Sequence, residues 1–435
     1  MTSELKVIAD LIEEGKIVEA LTPLDEYMFK YPDCPKGHFM LGHIMMKSEK
    51  PAIAKMAFQS VVSKDPRRHQ GWNNLGKAYD DLLDYKEAER CFKRAYKIEP
   101  NLVAKENIST NAIHRCNPDK AIHWAKEALK EDQDSTAAHI NLGFAYLMKG
   151  DFKRGWPEYE WGLGRTRWRD VRNYTKEPVW NGETGHVCVY GEQGIGDQIA
   201  FAGCIPDMRR DVKSLILDVN PKLANLFGRS FICETHGDMF NTTIEWPYDR
   251  INPIDYSCSL SQIQKFYRDD IAKFPKKAYL TPDPVRRKQW RFTLDGLHGK
   301  KVGIAWTGGI KETQKSARST MLETFLPILR QDATFISLEY KDRKEEIRDF
   351  EAAHGIHIHD YPWATQSKDY DDTAALVSEL DMVISVPTSV VHLAGALDVP
   401  TYCIVHEKPH FMFGLEGSRM PFYRSVELFL SLIHI

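Results

Sequence analysis

The sequence predicts a helical repeat array followed by an α/β region of two Rossmann-like domains. Two observations predict it. Ala20, Ala54, Ala88 and Ala121 stand 34, 34 and 33 residues apart, and Pro32, Pro66 and Pro100 keep the same step of 34. After Gly185 the long helical pattern gives way to short apolar runs separated by helical stretches, the sign of parallel strands with crossover helices. A chain of 435 residues is too long for one core, so two or three domains are expected.

Charge and cysteine usage narrow the function classes. Lys plus Arg is 58 against 61 for Asp plus Glu, a formal net charge of -3, which offers no long-range attraction to nucleic acid or an anionic membrane. Met1 to Lys16 is acidic and helical in pattern, and no apolar run reaches 18 residues, so a soluble cytoplasmic protein is expected. The eight cysteines are scattered, without a C-x-x-C pair or metal-ligand spacing. They read as small core hydrophobes in a reducing compartment.

In the N-terminal region Trp72, Leu75, Gly76 and Tyr79 stand at W-x2-L-G-x2-Y. Leu41-Gly42 repeats the pair one period earlier, and Leu142-Gly143-Phe144-Ala145-Tyr146 repeats it two periods later. This resembles the tetratricopeptide repeat, whose small residues let antiparallel helices approach while proline closes each unit. The unit from Ala104 to Ser135 has lost Leu-Gly but keeps Ala121. About five units cover residues 4 to 168, and such an array presents a groove suited to binding a protein segment or to self-association. From Trp156 to Gly185 the pattern fades into a stretch holding Arg165, Arg167, Arg169 and Arg172 beside Trp161 and Trp168. Arginine with tryptophan suits nucleic acid, but amphipathic packing of the last repeat against the next domain is the simpler reading.

Strands are expected at His186 to Tyr190, Ser214 to Val219, Lys301 to Trp306, Thr334 to Leu338, Ile356 to His359, Met382 to Val386 and Thr401 to Val405. Helices are expected near Leu322 to Arg330, Arg343 to His354, Asp372 to Leu380 and Ser389 to Leu397. The stretch Phe240 to Gly299, with Thr281-Pro282-Asp283-Pro284, leads from one domain to the next, and the apolar tail Leu428 to Ile435 reads as a short final helix or an abrupt end. Domain limits of 1–170, 171–299 and 300–435 follow.

In such sheets ligands bind beyond the carboxyl ends of strands, and three loops there carry site-like chemistry. The first, Tyr190-Gly191-Glu192-Gln193-Gly194-Ile195-Gly196-Asp197, permits close approach of a ligand to the main chain, though it is neither a GxGxxG nor a Walker motif. The second is Trp306-Thr307-Gly308-Gly309 followed by Lys311, Lys315 and Arg318, cations suited to phosphate. The third opens a helix with Thr388, Ser389 and His392 after the strand Met382 to Val386. Helix N-termini leave N–H groups unpaired and carry partial positive charge, so they welcome anions. His354, His357, His359 and Asp360 look metal-like but read more simply as a strand-end polar cluster. Asp371 or Asp372 reads as a helix cap.

These three loops in this order, behind tetratricopeptide repeats, resemble bacterial repeat-containing glycosyltransferases whose catalytic half is similar to the heptosyltransferases, of GT-B fold. The resemblance rests on Glu192-Gln193-Gly194-Ile195-Gly196-Asp197, Val302-Gly303-Ile304-Ala305-Trp306 with Arg318-Ser319, and Asp372-Thr373-Ala374-Ala375 running on to His392-Leu393-Ala394-Gly395-Ala396-Leu397. It implies transfer of a sugar from a nucleotide-diphosphate donor held mainly by residues 300–435 to an acceptor held by 171–299. By the resemblance Asp197 is the general base, with Glu192 as substitute. Gly194, Gly196, Trp306, Thr307, Gly308, Lys315, Arg318, Glu339, Thr388, Ser389 and His392 are expected to bind the donor and its diphosphate. No metal or further cofactor is implied, and the acceptor is a protein, a glycan or a nucleic-acid base. Asp197 reads equally as a helix N-cap. Pro387 stands where related sequences carry Asp, Gly203 where an arginine is common and Glu339 where Gln is usual, which leaves a non-catalytic adaptor as the alternative.

Overall fold

The computed structural model describes residues 3–166, 169–174, 176–238, 254–309, 318–406, 410–415 and 417–430. The chain divides into two compact units, residues 1–145 and 146–435.

The first unit is a run of antiparallel helix pairs: α1 (Ser3–Glu13) with α2 (Ile17–Lys30), α3 (Pro35–Lys47) with α4 (Pro51–Lys64), α5 (His69–Asp81) with α6 (Tyr85–Ile98), and α7 (Leu102–His114) with α8 (Pro118–Leu129). The repeat glycines explain the pairing. A Cβ on Gly76 would lie 2.5 Å from the Phe92 ring, and one on Gly42 would run into Phe58, so Gly on the first helix admits a phenylalanine from the second. At the period's aromatic position Trp72 donates its indole N–H to Pro66 O at 3.0 Å, while a ring nitrogen of His38 lies 2.8 Å from Pro32 O. Each ties a helix start to the turn before it. Where the third repeat has Leu75-Gly76 the fourth has Ser109-Thr110; Ser109 Oγ there donates to Ala121 O at 2.9 Å in a fully buried bond.

The second unit starts within α9 (Thr136–Met148) and includes α10 (Phe152–Glu160). Trp156 of α10 donates its indole N–H to Arg268 O at 2.7 Å, and Glu160 pairs with Lys265 at 2.8 Å. Two parallel sheets follow. The first has the order β3-β2-β1-β4, from β1 (His186–Tyr190), β2 (Ser214–Val219), β3 (Glu234–Gly237) and β4 (Tyr256–Ser259). The second has the order β10-β9-β8-β5-β6-β7, from β5 (Lys300–Ala305), β6 (Ala333–Ser337), β7 (Ile358–Asp360), β8 (Met382–Ser385), β9 (Thr401–Val405) and β10 (Val426–Leu430). Helices α11 (Ile195–Ala202), α12 (Ile205–Asp211), α13 (Ala224–Phe231), α14 (Gln264–Tyr267) and α15 (Pro284–Asp295) accompany the first sheet and the passage to the second. Helices α16 (Leu326–Leu329), α17 (Lys344–His354), α18 (Pro362–Thr365), α19 (Asp371–Ser378) and α20 (Ser389–Ala396) accompany the second.

Every inter-strand pairing between named strands is parallel, and β1, β2, β4, β5, β6 and β8 each run into a buried stretch, as sheets covered on both faces require. The tail differs from expectation. Val426–Leu430 is an edge strand in register with Thr401–Val405, because alternate exposure along Val426, Glu427, Leu428 and Phe429 suits a sheet edge; residues 431–435 lie outside the described residues. The proline-rich connector is also more regular than it reads. Asp283 caps α15 by accepting from Val285 N and Arg286 N, both at 2.9 Å, with Pro284 at the first helical position. Strands β3 and β4, lacking long apolar runs, have no expected counterpart.

Candidate functional site

The strand orders locate two crevices. In the first sheet β1 pairs with β2 on one side and β4 on the other; in the second β5 pairs with β6 and β8. Loops leaving the carboxyl ends of such neighbours part in opposite directions and leave an opening. The loop after β1 is Gly191 to Gly194, the loop after β5 is Trp306 to Gly309, and the loop after β8 is Val386 to Thr388. Helices α11 and α20 then meet. A Cβ on Gly196 would lie 3.1 Å from His392 Cδ2 and 3.4 Å from Ser389 Cα, so the first and third predicted loops come together.

The glycine loop is held from beneath. Gly191 N donates to Asp218 O at 2.8 Å, and a Cβ at Gly191 would overlap the Gln198 side chain. Gln198 donates to Gln193 O at 2.7 Å and accepts from Asn220 N at 2.9 Å. The cap of α11 is Gly194. Asp197 is therefore the third helical residue, not the N-cap, and its own backbone N–H, in the first helical turn, favours its anion. Burial in the cleft pushes its pKa up to about 6, Arg318 pulls down, and Glu192 pushes up again. Glu192 is enclosed too, with its side chain 1% exposed and Arg169 Nη2 3.6 Å away.

The loop after β5 is braced from within. Trp306 N and Thr307 N both donate to Glu339 Oε1 at 2.8 Å, and the Thr307 hydroxyl donates to the other oxygen. Gly308 N donates to Ser319 Oγ at 3.0 Å. The main-chain donors of Trp306, Thr307 and Gly308 are thus engaged within the protein, and Glu339 braces this loop as an internal acceptor. Burial nevertheless raises the Glu339 pKa, with the Thr307 hydrogen bond opposing. Gly308 is needed for shape, since a Cβ there would lie 2.7 Å from both Pro387 O and Thr388 Cγ2.

At the start of α20 Thr388 is the N-cap and accepts from Val390 N at 3.1 Å. Tyr370 O–H donates to Ser389 Oγ at 3.1 Å. His392 is buried, with Nδ1 3.2 Å from the Tyr423 hydroxyl. Burial, reinforced by Arg318, drops its pKa to about 3, so it serves as a neutral polar group and not as a cation. Arg318 supplies the charge. It is largely buried, burial lowers its pKa while Asp197 opposes this, and among the described residues it forms no hydrogen bond or ion pair. Lys311 and Lys315 lie outside the described residues.

Other candidates find different roles. His357 pairs with Glu351 at 2.7 Å. Asp369 and Asp372 pair with Arg286 at 2.8 and 2.7 Å, and Asp371 with Arg229. Tyr370 occupies the N-cap position of α19, so neither Asp371 nor Asp372 is its cap. Gly203 is closely packed: a Cβ would lie 3.0 Å from Pro275 and 3.3 Å from Tyr279, so a larger side chain there requires these neighbours to shift. Sequence reasoning missed Tyr159, Arg169, Tyr370 and Tyr423 as neighbours of the cleft, and Gln193 stood in the first loop without a role. Of the four, only Arg169 carried a signal, as part of the arginine-rich stretch.

Residues 69–102 match the tetratricopeptide repeat family. The helix pairs of the first unit are tetratricopeptide-repeat-like, with residues 69–102 one such unit. The chain is 25% identical to Protein FlbA of Caulobacter vibrioides, over 96% of this chain and 79% of that one. It is 33% identical to the human Protein O-mannosyl-transferase TMTC3 over 90 residues, 20% of this chain and 10% of TMTC3. Among solved structures it is similar to MamA, at 17% identity over 36% of this chain and 91% of that chain with a TM-score of 0.33. It is likewise similar to TTC0263, a thermophilic protein of Thermus thermophilus, at 20% identity over 38% and 90% with a TM-score of 0.34. Among the described residues no helix is long and apolar enough to cross a membrane.

Proposed function

We propose that residues 146–435 form a GT-B-type glycosyltransferase that moves a sugar from a nucleotide-diphosphate donor to an acceptor hydroxyl, in a cytoplasmic protein whose repeat array binds the acceptor or a partner protein. The observation that carries this reading is Arg318, a largely buried guanidinium without a protein partner among the described residues, whose charge acts on both Asp197 and His392. A buried charge without a hydrogen-bonded partner is costly unless an opposite charge arrives with a ligand. A diphosphate matches that guanidinium and the N-terminal end of α20 beside it.

In this reading Asp197 takes the acceptor's hydroxyl proton as the acceptor oxygen bonds to the anomeric carbon. The bond to the diphosphate breaks, and its electron pair leaves on the phosphate, towards Arg318. A proton affinity near 6 suits a base at neutral pH, since the group is mostly ionised yet not far below the working pH. Pre-set charge at a departing anion is worth roughly a hundredfold to a thousandfold per donor. A panel of UDP-, GDP-, ADP- and dTDP-sugars, assayed by thermal shift and donor hydrolysis, tests the reading; stabilisation by none of them would sink it. Binding without any turnover would favour a non-catalytic adaptor, a reading supported by the internal engagement of Trp306, Thr307 and Gly308.

A further inference from the structure

The cleft holds two carboxylates, Glu192 and Asp197, and their surroundings differ. Arg169 reaches Glu192 from the segment after α10. Its Nη1 donates to Tyr159 O at 2.6 Å and its Nη2 to Ser261 Oγ at 2.8 Å, with Nη2 also 3.6 Å from Glu192 Oε1. The guanidinium lies over the Tyr159 ring at 4.2 Å, and its Nε is buried without a hydrogen-bond partner. Gln193 donates to the same Glu192 oxygen at 3.2 Å while accepting from the Tyr159 hydroxyl at 2.9 Å. Tyr159 thus binds Arg169 through its carbonyl and Gln193 through its hydroxyl, and both face one oxygen of Glu192. A charged group as enclosed as this guanidinium is retained where it meets a buried opposite charge.

We propose that Arg169 is a positioning residue for the proton-transfer step: it clamps Glu192 in the floor of the cleft, so that Asp197 alone receives the acceptor's proton. This rests on the transferase reading above. The groups facing Asp197 come from four places: Glu192 from its own loop, Arg169 and Tyr159 from the segment around α10, Arg318 from the loop after β5, and Tyr423 with His392 from the second sheet's side. Of these, Arg169 and Arg318 favour the Asp197 anion and Glu192 opposes it. The proton leaves the acceptor oxygen for Asp197, the acceptor oxygen bonds to carbon, and the diphosphate departs with the electron pair. Glu192 gains and loses nothing; it sets the field in which Asp197 titrates.

The test uses the full chain, as wild type, Arg169→Gln, Arg169→Lys and Glu192→Gln. Its readouts are calorimetric binding of UDP, GDP, ADP and dTDP and the pH profile of turnover on whichever nucleotide sugar is used. Arg169→Gln should lower kcat about a hundredfold with donor KM nearly unchanged, a loss of positioning and not of donor binding. Its acid limb should move to higher pH, because a charge favouring the Asp197 anion is gone. Arg169→Lys, retaining the charge, should hold the limb near its wild-type position and recover part of kcat. Glu192→Gln should move the limb to lower pH, and it carries the test if Arg169→Gln does not fold. Limbs unmoved in both Arg169→Gln and Glu192→Gln, while wild type binds nucleotide and turns over, overturn the role of Arg169 alone. Absence of nucleotide binding and turnover in wild type overturns the transferase reading and this proposal with it.

Discussion

Replacing Arg318 with glutamine removes a largely buried charge while keeping much of the side chain's length. In the free protein the cleft loses a cation that favours the Asp197 anion and disfavours protonation of His392. Asp197, already raised to about 6, should bind its proton more tightly still, so the acid limb of activity should shift upward in pH. Each charge-assisted hydrogen bond from a guanidinium to phosphate contributes about 1.5–3 kcal/mol, so losing one should weaken nucleoside-diphosphate binding about tenfold to 150-fold. The same group meets charge that grows as the diphosphate departs, so kcat should fall about a hundredfold to a thousandfold beyond the binding loss. Calorimetry with UDP, GDP, ADP and dTDP gives the first quantity, and single-turnover rates against pH give the others. An affinity within about twofold of wild type together with an unmoved acid limb would refute the reasoning, since a real counter-charge to a phosphate cannot be removed so cheaply.

Three further predictions concern base, cleft shape and repeat packing. Asp197→Asn should abolish transfer yet leave nucleotide binding intact. Because the folded-state pKa is raised, the native carboxyl favours folding in its protonated form and loses that contribution as pH climbs from the unfolded value near 4 through about 6; chemical denaturation should therefore find Asp197→Asn more stable than wild type at pH 7 and nearly equal at pH 4. Gly308→Ala should push against Pro387 O and Thr388 Cγ2, each 2.7 Å from the new methyl, costing about 1–3 kcal/mol and weakening nucleotide binding; calorimetric melting and titration check both, and an unchanged titration would argue against this loop contact. Gly76→Ala should cost a similar ~1–3 kcal/mol by driving a methyl to 2.5 Å from the Phe92 ring, with helical unfolding followed by circular dichroism and donor affinity left as in wild type.

How far the site was legible depends on the range of each interaction. The repeat period announced the first unit, because Gly76 and Phe92 must recur together for one helix pair to close. The loops around Asp197 and Thr388 were legible because a strand, a turn and a helix lie consecutively in the chain. The duties within them were not. Glu339 was expected to bind the donor, and its carboxylate accepts Trp306 N and Thr307 N across 33 and 32 residues, pairings that no local pattern shows. His392 reads as a polar donor beside the anion site, and only packing shows that burial drops its pKa to about 3. Arg169 reads as linker chemistry until Tyr159, Ser261 and Glu192 surround it.

By itself, the sequence determined the helical repeats, the change to parallel sheets and the three loops at strand ends, since each follows from periodicity and short-range turn chemistry. Tertiary structure decided which side chains remain available. A hydrogen-bonding group is a candidate ligand only if the fold has not already satisfied it. That depends on partners far apart in the chain, as when Glu339 takes up the amides of the loop after β5. It decided charge as well, because burial sets proton affinity and is a property of packing: it leaves His392 neutral and raises Asp197 towards neutral pH. Arg318 is largely buried and forms no hydrogen bond or ion pair among the described residues, which only packing could show.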